Sequence, residues 1–181
     1  MRFLPAVLAA FFVFGVGAGG YAADSTPAKV KIINNDRQGV GEVMLMETPN
    51  GVLIRVNLRQ NPPGITPGTH AIHIHAVGEC EPPFKSAGGH FNPLNKKHGF
   101  LEKQGKHAGD LPNIHVTENA PLTAEFHVTE ISLGGGKASL KGANGSALVI
   151  HQGADDYRTD PAGDSGDRVA CAVIEPRKAK K

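Results

Sequence analysis

The stretch Thr69-His70-Ala71-Ile72-His73-Ile74-His75-Ala76 decides the fold prediction, because apolar and imidazole side chains alternate along it. On an extended strand, His73 and His75 project from one face, while the isoleucines on either side of His73 enter the core from the other. Two imidazoles this close together on a stiff strand make half of a metal site. His70 lies on the isoleucine side, where a buried imidazole needs hydrogen-bond partners, so we interpret it as structural.

The rest of the chain predicts more strands of the same kind. Short alternating segments occur at residues 29–33, 41–48, 52–59, 114–116, 122–129, 147–151 and 169–174, and no amphipathic helix or internal repeat interrupts them. About eight short strands with glycine-rich turns favour an all-β sandwich or barrel. His115 and His127 are predicted to face water from their strands. Two long loops, residues 78–111 and 152–167, remain, and the first is long enough that we expect something other than backbone pairing, such as a metal ion, to hold it.

The ends of the chain predict an exported protein. Met1-Arg2 is followed by uncharged residues 3–23, which end in small side chains, and this is typical of a signal peptide over residues 1–23. An uncleaved membrane anchor is the alternative. Residues 24–181 suit one domain with no membrane span after cleavage, and we expect export to the periplasm.

Charge is concentrated at the carboxyl terminus. The formal net charge is +2, but the short tail of about residues 176–181 is strongly basic, so the remaining body is weakly acidic. No basic surface of the kind that binds nucleic acid is predicted. The tail is interpreted as a solvated end, with binding to an anionic surface as the alternative.

The two cysteines, Cys80 and Cys171, are predicted to form a single disulfide because an exported protein meets an oxidising compartment. The alternative is a pair of free thiols that bind a metal.

The first long loop carries further candidate ligands. His90, His98, His107 and Asp110 supply three imidazoles and one carboxylate, a donor set that suits tetrahedral zinc. His151 closes a later strand that can lie beside the strand of His73 and His75, and an all-imidazole set with an open position suits copper. Counting ligands gives His73, His75 and His151 for copper and His98, His107 and Asp110 for zinc, which leaves His90 over. A deprotonated imidazole has two nitrogens and can bind both metals.

Several stretches together resemble the copper/zinc superoxide dismutases, in their exported bacterial form. The resemblance lies in residues 70–75, Gly88-Gly89-His90-Phe91-Asn92-Pro93, Lys97-His98-Gly99, Gly105-Lys106-His107-Ala108-Gly109-Asp110-Leu111, residues 149–156 and Gly166-Asp167-Arg168-Val169-Ala170-Cys171. It implies an eight-stranded antiparallel Greek-key barrel. It also implies copper on His73, His75, His90 and His151, and zinc on His90, His98, His107 and Asp110. The resemblance further implies that Asp155 links the imidazoles of His73 and His98 and that Arg168 stands beside copper. A Cys80–Cys171 disulfide also matches the pattern of this family.

The activity that this resemblance implies is dismutation of superoxide. Copper alternates between two oxidation states, zinc has a structural and electrostatic role, Arg168 holds the anion, and His90 takes up a proton that it donates to the peroxide being formed. Assembly is left open, with a homodimer as one possibility. Two other functions are kept as alternatives: a copper-binding carrier of the same fold, and a blue-copper electron carrier, which needs a cysteine ligand and usually a methionine.

Overall fold

The computed structural model describes residues 27–175. The predicted signal peptide at residues 1–23 and the basic tail at about residues 176–181 lie outside this range. Nine strands are present in the described residues: β1 (Ala28–Asn34), β2 (Gly39–Thr48), β3 (Gly51–Leu58), β4 (Gly68–His70), β5 (Ile72–His75), β6 (Ile114–Val116), β7 (Leu122–Val128), β8 (Ser146–His151) and β9 (Arg168–Ile174). The only helical element there is a 3-10 turn at Lys85–Ala87.

The predicted all-β fold is confirmed as a curled antiparallel sheet. Seven strands run in the order β5-β8-β9-β1-β2-β3-β7, and β4 pairs with β6 in a second, two-stranded sheet. Because β4 leads directly into β5 and β6 leads into β7, the small sheet connects the two ends of the large one and closes a Greek-key barrel. Alternate side chains fill its interior, including Ile32, Val43, Ile54 and Leu148, all of which have no exposed surface.

The strand predicted around residues 69–76 is divided into two strands at Ala71. Its first half, β4, pairs with β6, and its second half, β5, pairs with β8. At the division, the N–H of Ala71 donates to the carbonyl of Gly153 at 2.7 Å, and its carbonyl accepts from the N–H of His151 at 2.9 Å. The chain therefore changes partners without losing backbone hydrogen bonds, which is why the structure has nine strands where the sequence suggested about eight.

The expectation that backbone pairing does not hold the first long loop is wrong in part. This first loop, residues 76–113, covers the free edge of β5: the N–H of Ile74 donates to the carbonyl of Gly109 at 2.8 Å, and the carbonyl of Ile74 accepts from the N–H of Phe91 at 2.7 Å. A side chain at Gly109 would collide with the carbonyl of Ile74, so glycine is needed for this close approach. Edge pairing and buried ligands together hold the loop.

No helix within residues 27–175 has the length and apolar character needed to cross a bilayer.

Candidate metal centre

Strand β5 carries His73 and His75 on the face opposite its two isoleucines, as the alternation predicted. All four side chains of the strand are buried, because the isoleucines enter the barrel core and the first loop and second loop (residues 152–167) cover the histidines. Antiparallel pairing with β8 brings His151, the last residue of that strand, beside them. The barrel therefore holds three imidazoles in place on two neighbouring strands.

A four-histidine cluster forms where the first loop adds His90 to these three. One nitrogen of each ring lies within 4.8 Å of a nitrogen of every other ring. Four buried nitrogens in this cluster have no hydrogen-bond partner: His73 Nδ1, His75 Nε2, His90 Nε2 and His151 Nε2. Buried polar atoms are normally paired, so four bare nitrogens facing one point fit a metal ion. An all-imidazole donor set suits copper.

Hydrogen bonds fix the opposite nitrogen of three of these rings. His73 Nε2 lies 2.8 Å from Asp155 Oδ2, and His75 Nδ1 lies 2.9 Å from the carbonyl of Gly88. His151 Nδ1 lies 3.1 Å from the hydroxyl of Ser165. Acceptors placed behind ligand imidazoles select the tautomer whose bare nitrogen faces the metal. The orientation of the ligands is thus built into the surrounding structure.

A mixed cluster of three imidazoles and one carboxylate lies beside the first. Asp110 Oδ1 is 2.8 Å from His90 Nδ1, 3.1 Å from His98 Nδ1 and 3.2 Å from His107 Nδ1, while the His90 and His107 nitrogens are 3.4 Å apart. A tetrahedral zinc ion about 2.0 to 2.1 Å from its ligands separates neighbouring ligand atoms by about 3.3 Å. The donor atoms therefore already stand close to the corners of a zinc tetrahedron.

His90 belongs to both clusters. Its Nδ1 points to Asp110 in the mixed cluster, and its Nε2 is one of the bare nitrogens in the four-histidine cluster. Its ring centroid is 4.1 Å from that of His73 and 5.4 Å from that of His107. One imidazole can therefore serve two ions, as the ligand count from sequence suggested.

Asp155 joins the two clusters by a second route. Its two carboxylate oxygens lie 2.8 Å from His73 Nε2 and 3.0 Å from His98 Nε2. Asn113, at the end of the first loop, holds the backbone of Asp155 on both sides: its side-chain oxygen accepts from the Asp155 N–H at 2.8 Å, and its side-chain nitrogen donates to the Asp155 carbonyl at 2.9 Å. A side chain at Gly163 would collide with the Asp155 carboxylate, so glycine is needed at this position.

Burial keeps three imidazoles of the four-histidine cluster neutral. Burial lowers the pKa of His75 to about 2, and Coulombic repulsion from His90 and Arg168 acts in the same direction. Burial likewise lowers the pKa of His151 to about 3 and that of His90 to about 4, although the hydrogen bond to Asp110 opposes the shift at His90. Neutral imidazoles are the form that binds a metal, so these nitrogens are ready for it at neutral pH.

The mixed cluster has the opposite electrostatic character. Burial works against a charge on His98, but hydrogen bonds to Asp110 and Asp155 outweigh it and raise the pKa of His98 to about 9. The same contacts outweigh burial at the carboxylates: hydrogen bonds from His107, His90 and His98 hold the pKa of Asp110 far below its ordinary value, and those from His73 and His98 lower the pKa of Asp155. The negative charge of the two aspartates therefore stays in place to balance a cation.

Arg168 begins β9 and stands next to the four-histidine cluster, where it pairs with His151 in the sheet register. Its guanidinium donates to the carbonyls of Phe84 and Gly88, both at 2.7 Å. The carbonyl of Gly88 is also the hydrogen-bond partner of His75 Nδ1. Partial burial lowers the pKa of Arg168, yet a guanidinium remains charged at neutral pH. The site therefore has one fixed positive charge at its edge.

The predicted Cys80–Cys171 disulfide is present, with a Cα–Cα distance of 5.8 Å, and no free cysteine remains. Both cysteines of the chain are used in this bond. The blue-copper alternative requires a cysteine thiolate as a copper ligand, and the other alternative requires both cysteines as free thiols that bind a metal. Both alternatives are therefore wrong.

The three remaining histidines of the described residues lie outside the two clusters. His70 is buried, with Nδ1 2.8 Å from the carbonyl of His151 and Nε2 2.7 Å from that of Thr66, which agrees with the structural interpretation. His115 and His127 are exposed, as expected, and each contacts a threonine hydroxyl.

The structure brings together every residue that the sequence analysis proposed for the metals and adds others that it missed, among them Ser165 behind His151. Asn113, Asp160 and Gly163 shape the site without contacting the bare nitrogens. Asn113 and Gly163 act on Asp155, and Asp160 accepts a hydrogen bond from the N–H of His98 at 2.9 Å. Alternation gave no signal for them. For Asp160 and Gly163, the sequence analysis indicated only that residues 152–167 form a long loop.

Comparison with known proteins gives a consistent result. A family model described as copper/zinc superoxide dismutase matches residues 40–174. Superoxide dismutase (Cu-Zn) 2 of Aquifex aeolicus (strain VF5) is 47% identical over 149 residues, which cover 81% of this chain and 85% of that protein. Superoxide dismutase (Cu-Zn) 1 of the same organism is 41% identical over 172 residues, covering 94% and 96%.

A solved structure is similar over the same region. The crystal structure of a SOD-like protein from Bacillus subtilis superposes with a TM-score of 0.76 at 36% sequence identity, covering 82% of this chain and 99% of that one. The matched family segment contains both long loops and strands β3 to β9; it begins within β2 and leaves out β1.

Proposed function

The chain belongs to the copper/zinc superoxide dismutase family, and from this membership and the two clusters we propose which residue serves each step of its reaction. The protein is a superoxide dismutase that uses copper and zinc, and it converts two superoxide anions and two protons to oxygen and hydrogen peroxide. The alternative of a copper carrier without turnover has no specific observation in its favour.

Copper is assigned to the four-histidine cluster: His73, His75, His90 and His151. The observation that carries this assignment is the set of four buried nitrogens without hydrogen-bond partners. Zinc is assigned to the mixed cluster of His90, His98, His107 and Asp110, whose donor atoms stand at tetrahedral separations. Copper supplies the change of oxidation state, and zinc, which has none, supplies fixed charge and structure.

Arg168 is proposed to bind the superoxide anion. Its guanidinium is held at two points by the carbonyls of Phe84 and Gly88, so its position is set before the substrate arrives. A fixed cation at the edge of a buried site attracts and orients a small anion. Replacement by lysine preserves the charge but leaves one ammonium group for two carbonyls, so the rate should fall less than in Arg168→Ala.

His90 is proposed to supply a proton to the product. All four rings of the four-histidine cluster have a bare nitrogen facing its centre, but the opposite nitrogens of His73, His75 and His151 face acceptors outside the two clusters. His90 Nδ1 instead lies against Asp110. Nε2 can therefore take up a proton and give it to the reduced oxygen species while Nδ1 stays anchored.

The proposed destination is the periplasm, where the enzyme would protect the cell envelope from superoxide. The disulfide and the similarity to bacterial relatives indicate an exported protein. The residues of the predicted leader lie outside the described range. Intact-mass measurement of protein recovered from the periplasmic fraction tests this, because it identifies both the compartment and the new amino terminus.

The proposed assembly is a homodimer through the exposed apolar part of the first loop. Leu94, Phe100 and Leu101 are the large hydrophobic side chains that are exposed in residues 27–175, at 59%, 41% and 54%. The inference rests on their shared position in the first loop, because exposed apolar surface marks protein–protein contact sites. Sedimentation velocity should give a dimer for wild type and a monomer for Leu101→Glu; a wild-type monomer at high concentration contradicts the proposal.

Metal content measured together with superoxide removal tests the assignment as a whole. Chelation should abolish activity, and restoring copper to protein that still holds zinc should return it. His90→Ala should retain part of its copper but lose coupling between the sites, so removing zinc changes the copper EPR spectrum of wild type and not that of the variant. His115→Asn, an exposed histidine outside both clusters, is the control. Equal metal content in all three proteins would overturn the assignment.

A further inference from the structure

The turn between β1 and β2, residues 35–38, lies beside the beginning of β9. Asn34, the last residue of β1, pairs with Ala170 in the sheet register, two residues after Arg168. The Asn34 side chain is buried, and its oxygen accepts from two N–H groups of the turn, at 3.1 and 2.8 Å. The conformation of the turn is therefore fixed by a residue of the barrel, next to the strand that carries the anion-binding arginine.

Two side chains of this turn reach Arg168, one directly and one through the first loop. The side-chain nitrogen of Asn35 donates to the main-chain carbonyl of Arg168 at 3.2 Å. The guanidinium of Arg37 donates to the carboxylate of Glu81 in the first loop at 2.6 Å. The turn thus contacts both the main chain of Arg168 and the loop segment that holds its side chain.

Glu81 is connected to the Arg168 guanidinium through the backbone. Its carbonyl accepts from the N–H of Phe84 at 2.6 Å, and the carbonyl of Phe84 accepts from the guanidinium at 2.7 Å. The N–H of Glu81 donates to the hydroxyl of Ser86 at 2.9 Å. Because the carboxylate, the carbonyl and the N–H of Glu81 are all bonded, a displacement of Glu81 would move a hydrogen-bond partner of Arg168.

We propose that Asn35, Arg37 and Glu81 are positioning residues for the Arg168 guanidinium, a proposal that rests on the anion-binding role given to Arg168 above. None of the three is a member of either metal cluster. The Arg37 and Glu81 side chains are 62% and 67% exposed, and exposed ion pairs contribute modestly. The disulfide already holds Cys80, the neighbour of Glu81, so the ion pair adds a smaller second constraint.

The affinity of the copper- and zinc-loaded protein for azide, followed at equilibrium by visible absorption, tests the proposal. Azide is a small anion that can occupy an open position of Cu(II). Arg37→Gln and Glu81→Gln should each weaken azide binding by about two- to threefold, and Asn35→Ala should act in the same direction. Since both members of the ion pair act through one contact, the double variant should lose no more than either single variant.

The sign of the effect separates positioning from net charge. Removing the negative charge of Glu81 would by itself strengthen anion binding, whereas removing the positive charge of Arg37 would weaken it. A loss of azide affinity in both variants therefore indicates that the ion pair positions Arg168.

Arg55→Gln and Glu125→Gln are the matched controls, because they remove the same charges from an ion pair of 2.7 Å that joins β3 to β7. Their azide affinity should stay near that of wild type. If Arg168→Ala binds azide as wild type does, the anion-binding role of Arg168 is wrong and this proposal falls with it. If Arg168→Ala binds azide weakly, the positioning role alone is overturned by opposite shifts in Arg37→Gln and Glu81→Gln, by wild-type affinity in both, or by equal losses in the control pair.

Discussion

Three buried imidazoles of the four-histidine cluster resist protonation, and this determines how the metal-free protein should respond to acid. The pKa values are about 2 for His75, about 3 for His151 and about 4 for His90, against 6.5 in an unfolded chain. Their contribution to stability is therefore present above pH 6.5 and is lost as the pH falls, because the unfolded chain binds more protons. His98 has the opposite sign: its pKa of about 9 gives a contribution that is full below pH 6.5 and is lost as the pH rises through 9.

The melting temperature of the metal-free protein should consequently fall between pH 7 and pH 5, as followed by scanning calorimetry. The metal-loaded protein is the control, because ligated nitrogens cannot bind protons until the ions leave, so its melting temperature should hold to lower pH. His151→Gln should reduce the acid slope of the metal-free form. A melting temperature that stays constant from pH 7 to pH 5 would contradict these pKa directions.

The site residues differ in how far the sequence could predict them. His73 and His75 follow from alternation alone, since a strand has a fixed period of two. His90, His98, His107 and Asp110 were recognisable as a donor set, and counting ligands left His90 to serve both metals, whereas the role of Asp155 came from the resemblance. Asn113 and Gly163 act through contacts with Asp155 that join distant parts of the chain. No local pattern encodes such contacts.

The elements themselves were largely predictable because burial alternates along them. The hairpin of β2 and β3, with Thr48 paired to Gly51, agrees to within one residue with the predicted strand ends at residues 48 and 52. The division at Ala71 was not predictable, since it depends on which strand each half meets. The pairing of the first loop with the edge of β5 was missed for the same reason: its backbone hydrogen bonds are independent of side-chain pattern.

The two loops are tied together by hydrogen bonds that should control zinc affinity. The carboxylate of Asp160 in the second loop accepts from the N–H of His98 in the first at 2.9 Å, and the hydroxyl of Tyr157 accepts from the N–H of Asn113 at 2.8 Å. The Asp160 carboxylate positions the backbone of a zinc ligand without contacting the bound ion. Groups that orient metal ligands typically change metal affinity by about 10- to 100-fold when removed.

Asp160→Ala should therefore weaken zinc binding by about tenfold, measured by competition with a chromophoric chelator. Asp160→Asn retains a side-chain oxygen that can accept the bond and should remain near wild type. Asp164→Asn is the matched control, because it removes a carboxylate from the same loop that has no hydrogen bond to His98. If the three variants lost affinity equally, loop charge rather than the hydrogen bond would be responsible.

At the scale of the whole molecule, the disulfide connects the barrel to the segment that holds Arg168. Cys171 lies on β9 three residues after Arg168, and Cys80 lies in the first loop just before Phe84 and Gly88, whose carbonyls bind the guanidinium. The bridge spans 91 positions, for which loop-closure entropy gives about 4 to 5 kcal/mol as an upper figure. Breaking it should affect both the stability of the fold and the position of the anion-binding group.

Replacing both cysteines by serine should lower the melting temperature and also reduce the rate of superoxide removal and its dependence on ionic strength, at temperatures where the variant is folded. Val43→Ala is the control: it leaves a cavity in the core at β2, so it lowers stability while the partners of Arg168 remain in place. Because only the cysteine variant frees the Phe84–Gly88 segment, only that variant should change the salt dependence. Equal kinetics in the two variants would mean that the bridge stabilises the fold without positioning Arg168, and an unchanged melting temperature would mean that it does not stabilise the fold.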